Sequence, residues 1–195
     1  MNEVYLMKYI FILKGGFLFY MTNSKNSASL MAYGAIVTAL SIVALYLSTI
    51  IPVNTIFFLG IASCLIPLGV MLTNISTGII IYLAVTCIAF FLIPDKSIVM
   101  FYGFFFGLYG VVKYFVEKIN KPVIEIILKF LFFNLSFGIM YFVYTTLFTK
   151  LVSSVLPIYL LIILAQVGFL AFDYIMTLFV AYSNKNILPK LRKMK

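Results

Sequence analysis

Six apolar runs follow one another along the chain, each close to the roughly 20 residues that a helix needs to cross the hydrocarbon of a bilayer. They occupy residues 30–51, 55–73, 75–93, 97–116, 123–148 and 155–182. The breaks between them are short and made of turn formers: Pro52 and Asn54, Asn74, Pro94-Asp95-Lys96, residues 117–122 ending in Pro122, and Lys150 with Ser153 and Ser154. Pro67 lies inside the second run and marks an expected kink. In hydrocarbon every backbone N–H and C=O has to be satisfied within the protein, so runs of this length are expected to be helices. The expected fold class is therefore all-α, a polytopic membrane protein with six transmembrane helices.

Composition agrees. Of the 195 residues 65% are hydrophobic and only 10% charged, against about 45–50% and about 25% in soluble domains. A water-soluble domain of this length has too much wet surface to hide so much apolar area. The net charge of +9 suits nucleic acid in a soluble protein. Here the basic residues stand between and after the apolar runs, where membrane topology and anionic lipid headgroups account for them. Membrane lipids are the expected partners, and nucleic acid is not.

Lys and Arg placement orients the bundle. With the N-terminus inside, the inner segments hold Lys8, Lys14, Lys25, Lys113, Lys118, Lys121, Lys129, Lys185, Lys190, Arg192, Lys193 and Lys195. The outer loops hold only Lys96 and Lys150. That split of 12 to 2 follows the positive-inside rule, so both ends are expected in the cytoplasm, N-in and C-in. The expected organisation is an N-terminal extension over residues 1–24, a six-helix membrane domain over 25–183 and a basic cytoplasmic tail over 184–195. The apolar stretch of residues 1–20 has no signal-peptide cleavage site. It reads either as an interfacial helix or as sequence upstream of a true start at Met21. Lys14-Gly15-Gly16 can be encoded by AAA-GGA-GGT, a bacterial ribosome-binding sequence. A bacterial cell membrane is the expected location.

Catalytic signatures are scarce. Histidine is absent, which removes the commonest metal ligand and general base. No GxxxxGK[ST] loop or His-Glu-x-x-His is present, and the five acids form no evident dyad. No enzyme, metal or cofactor is expected. Cys64 and Cys87 read as small buried hydrophobes.

The polar residues inside the runs carry more information. Asp173 shares a helix face with Gln166 and Thr177. An acid in a membrane helix is costly and normally has a partner. Lys129 lies at nearly the same depth on the fifth run, so a buried ion pair between Lys129 and Asp173 is expected, serving either packing or a substrate. Asn134, Gly138 and Tyr141 share a face of the fifth helix, with Tyr144 and Thr145 beyond. With Gln166 they form a candidate polar pocket, and the candidate substrate-binding set is Asn134, Tyr141, Gln166 and Asp173. The same groups also serve as interhelical hydrogen bonds. Ala32, Ala35 and Ala39 line one face of the first helix, and Ala35 to Ala39 is an AxxxA, a pattern that lets membrane helices approach closely, within the bundle or against a partner. Gly103, Gly107 and Gly110 repeat it on the fourth helix, where internal packing is expected.

Taken together, these features resemble the S components of energy-coupling factor transporters. The likeness rests on the length near 200 residues, six helices with both ends inside, the basic N-terminal segment and the AxxxA running into Leu40-Ser41-Ile42-Val43-Ala44-Leu45-Tyr46-Leu47. The Gly-bearing stretch of the third helix from Thr77-Gly78-Ile79 to Val85 is also similar. The resemblance spans residues 25–185 and implies a substrate-binding subunit of a transporter for a small organic nutrient. It also implies a transmembrane coupling subunit, met through Ala32, Ala35 and Ala39, and ATPase subunits as partners. Metal-specific members use an N-terminal histidine, which is missing here, so the implied ligand is organic. A non-transporting membrane scaffold or assembly partner is the alternative.

Overall fold

The computed structural model describes residues 27–119, 121–148 and 158–189. Those residues are helical apart from short turns and contain no strand. Among the described residues six helices are long and apolar enough to cross a membrane, so the chain is a multi-pass membrane protein. They are α1 (Ser27–Ile50), α2 (Thr55–Leu72), α3 (Ile75–Leu92), α4 (Lys96–Glu117), α5 (Pro122–Phe148) and α6 (Ile158–Tyr182). The extension over residues 1–24, Lys150 and residues 190–195 of the basic tail lie outside the described residues.

Turn chemistry sets the helix ends. Asn74 caps α3, its side-chain oxygen accepting from the Thr77 N–H at 2.8 Å, and Asp95 caps α4 by accepting from the Ser97 N–H at 2.9 Å. At the other end of α3, the Lys96 ammonium donates to the carbonyls of Phe90 and Ile93 at 2.5 and 2.9 Å, serving acceptors that the helix leaves open. Helix α2 stays helical through Pro67, which is buried. Residues 183–187 continue α6 as a π turn, and Leu188 packs into the main core. Helical structure thus continues over residues 184–189, within the stretch expected as the basic tail.

Helices α1, α2 and α3 form one tightly packed layer, and α4 lies on α2 and α3. Small residues permit the close approach. A methyl group added at Gly78 of α3 would overlap the Val70 side chain of α2, and one at Gly110 of α4 would stand 3.0 Å from both Ile66 and Pro67. Gly103 and Gly107 also turn inward, toward Thr86, Tyr82 and Tyr102, so the α4 glycines serve internal packing. The alanines of α1 do not. Ala32, Ala35 and Ala39 are exposed, while Gly34, Val37 and Ser41 face the bundle. Cys87 is exposed on α3 and Cys64 is half-buried on α2, which corrects the expectation that both are buried. Every face of α3 is apolar, so sequence pattern alone could not orient it.

Helix α4 is the most buried span, and it is interrupted. Residues 102–106 form a π turn between Lys96–Phe101 and Gly107–Glu117. The irregular backbone is served by side chains of neighbouring helices. Ser63 donates its hydroxyl to the Phe106 carbonyl, and Tyr82 donates to the Gly103 carbonyl at 2.8 Å. The turn presents Phe105 to α5 and α6, against Phe132, Phe133, Phe169 and Phe172.

Candidate functional site

Charged and amide side chains within the described spans are confined to α4, α5 and α6. Four of them form a closed ring of alternating charge. Lys113 and Glu117 stand four residues apart on α4, Lys129 on α5 and Asp173 on α6. Lys113 pairs with Asp173 and, at 2.7 Å, with Glu117 Oε1. Lys129 pairs with Asp173 Oδ2 at 2.8 Å and with Glu117 Oε1 at 3.4 Å. Lys129 is seven residues beyond the start of α5, so the ring lies about 10 Å along the helix from the α4–α5 end of the bundle.

Burial is nearly complete. The Lys113 side chain is fully buried, and even Asp173, the most accessible member, is 18% exposed. At such a site charges persist only when paired and hydrogen-bonded. Lys113 uses all three donors, the third going to Thr177 Oγ1 at 2.7 Å. The Thr177 hydroxyl itself donates to the Asp173 backbone carbonyl at 2.8 Å. Asp173 Oδ1 also accepts from the Tyr109 hydroxyl at 2.5 Å. Asp173 is therefore the hub, with three donors from two helices. Glu117 is served less well: Oε1 takes both lysines, while Oε2 is buried without a hydrogen-bond partner.

Above the ring, away from the α4–α5 end, comes a layer of rings. Tyr109 leads into it through Phe169, at 5.4 Å between centroids, and Phe133 stacks on Phe169 at 4.7 Å. Tyr109, Phe133, Phe169 and Met176 make a second core, distinct from that of α1–α4. Beyond the rings Gln166 Nε2 donates to Asn134 Oδ1 at 3.0 Å. Asn134 returns its own N–H to the Phe130 carbonyl at 2.8 Å, one turn back on α5.

Of the residues singled out in sequence, Lys129 and Asp173 lie together in the ring, and Asn134 and Gln166 meet across α5 and α6. Tyr141 is exposed, two turns beyond Asn134, and joins neither group. The alanines of α1 are on another part of the surface. Sequence reasoning missed Lys113, Glu117 and Tyr109. In sequence Lys113 reads as one of the inner basic residues and Glu117 as part of the break after α4. The available signal was the Lys-x-x-x-Glu spacing, which puts both on one face, with Lys113 flanked by Val111, Val112, Tyr114 and Phe115.

Fold and site define a six-helix, multi-pass membrane protein with a buried, electroneutral charge ring. No family model, curated protein or solved structure matches the chain.

Proposed function

We propose that the chain is a substrate-binding subunit of a membrane transporter, similar in plan to an S component, taking a small organic nutrient. The observation that carries this reading is the segregation of polar groups. Helices α1–α3 are apolar spans, whereas α4–α6 hold every intramembrane charge and amide among the described residues. Ionisable residues in such positions mark functional sites by default. The ligand contacts are Asn134, Gln166 and Tyr141, beyond the aromatic layer. Asp173 lies beneath that layer, its oxygens already occupied, and sets the polarity of the base. The exposed Ala32, Ala35 and Ala39 are the contact for a coupling subunit working with ATPase subunits. Both chain ends face the cytoplasm of a bacterial cell.

Native mass spectrometry of the protein released from nanodiscs tests the reading. A small molecule should co-purify, and Gln166→Leu should lose it while keeping the fold. Co-purification of a protein partner alone would replace this reading with the scaffold, which the exposed alanine face and the closed ring also favour. Orientation has its own test: a cysteine at position 96 should react with an impermeant reagent from outside, and one at 118 should not. The reverse pattern overturns the N-in, C-in assignment.

A further inference from the structure

The charge ring joins three helices, and three helices can divide into two groups in only three ways. If α5 leaves alone, Lys129 departs without a partner from the ring and leaves a net negative cluster on α4 and α6. If α6 leaves alone, Asp173 departs unpaired and a net positive cluster remains. If α5 and α6 leave α4 together, Lys113 stays with Glu117 and Lys129 stays with Asp173. Counting the four charges of the ring, only this last division leaves each side neutral, and a stranded charge in hydrocarbon is what membrane helices avoid most strongly. We propose that the ring is a parting device, a joint that lets α5 and α6 move as one unit away from α4 and forbids either to move alone.

Three further observations fit that division. Parting breaks two ion pairs, Lys113–Asp173 and Lys129–Glu117, and the second is the longest in the ring at 3.4 Å. Glu117 Oε2 has no hydrogen-bond partner in the joined arrangement, so separation strands no bond there. Helices α5 and α6 carry their own links, Asn134–Gln166 and the Phe133–Phe169 stack, that travel with them. The Lys113–Asp173 ion pair, the Tyr109–Asp173 and Lys113–Thr177 hydrogen bonds and the packing of Phe105 against α5 and α6 hold the joint shut. The device operates whether or not a solute binds, so it stands apart from the transport reading.

Electron–electron spin distance measurements in nanodiscs test it, with label pairs drawn from the exposed positions Phe115 on α4, Ile127 on α5 and Tyr182 on α6. The α5–α6 distance should be the narrowest, and the α4–α5 and α4–α6 distances should vary together. Two double variants remove the same number of charges and predict opposite results. Lys113→Met with Glu117→Gln leaves the Lys129–Asp173 pair on the moving side and should raise the parted population several-fold. Lys129→Met with Glu117→Gln leaves Lys113 bound to Asp173 across the joint and should abolish that population. Equal behaviour of the two doubles overturns the proposal. Should either double fail to fold, the unsubstituted protein decides: an α5–α6 distribution broader than the α4–α5 one overturns it, and a narrower one supports it.

Discussion

Helices α1, α2 and α3 meet backbone to backbone, whereas α5 and α6 meet through long side chains. In the first region Gly78 lies so near Val70 that no side chain fits between, and hydroxyls such as Ser41 and Ser48 bond to carbonyls of their own helix at 2.9 and 2.6 Å. In the second, rings, amides and ammonium groups span the gap. Lipid tails are as apolar as leucine, so burial alone does not hold membrane helices together. The chain uses two substitutes: close van der Waals contact on one side, and polar or aromatic bridges on the other. Contact tolerates no added volume, and bridges tolerate no lost partner.

The largest expected effect is at the bridge. Asp173→Asn removes the hub and leaves three charges for which no neutral pairing exists. Breaking a buried pair typically costs about 3–5 kcal/mol, so unfolding in detergent should show a loss of that order. Lys113→Met should cost about as much and more than Lys129→Met, because Lys113 is fully buried and makes three bonds while Lys129 keeps 10% exposure. Asp173→Asn combined with Lys129→Met leaves Lys113 with Glu117 and should recover much of the loss. Strictly additive losses in that cycle would mean that the pair is not coupled.

An effect of middle size belongs to the contact region. Gly78→Val forces a branched side chain into the Val70 position, and overpacking of this kind costs about 1–3 kcal/mol. Gly138→Val on α5 is the matched control, since nothing lies within 4 Å of a methyl group placed there. A shorter thermal half-life for the first variant, with the second unchanged, sharpens the contrast between the two regions. Equal losses would break it.

Six spans were legible in the sequence because hydropathy reports the solvent, and turn residues report the ends. Helix α2 begins at Thr55 and α3 at Ile75, where Asn54 and Asn74 precede the apolar runs. The Lys129–Asp173 contact was legible too, since the cost of a lone charge demands a partner and depth narrows the choice. Facing was not legible. Helices apolar all round carry no moment, so Cys87 could not be assigned to lipid or the three alanines to the exposed side. Lys113 was hidden by its position, four residues from the end of a run, where a lysine can as readily reach toward the headgroups as turn inward. The π turn at residues 102–106 was hidden because Tyr-Gly-Phe-Phe-Phe continues the apolar run without a break.

The smallest expected effect separates a bridge from a binding group. Gln166→Leu removes the donor to Asn134 but strands no charge, and Gln166 Oε1 already lacks a hydrogen-bond partner. Interhelical hydrogen bonds in membranes average about 0.6 kcal/mol by double-mutant cycle. Loss of the Gln166 amide should therefore shift unfolding by a fraction of the Asp173→Asn effect. Asn134→Leu removes the same interhelical bond and its own bond to the Phe130 carbonyl, so it should cost slightly more, and the double variant should cost no more than Asn134→Leu alone. If the amides exist to bridge α5 and α6, that small loss is the whole phenotype. If they exist to hold a solute, capture of the co-purifying molecule should disappear in the same variants whose stability has scarcely changed. A loss as large as that of Asp173→Asn would show that the amide pair is a structural element on a par with the charge ring, and the division between ring and candidate pocket would fail.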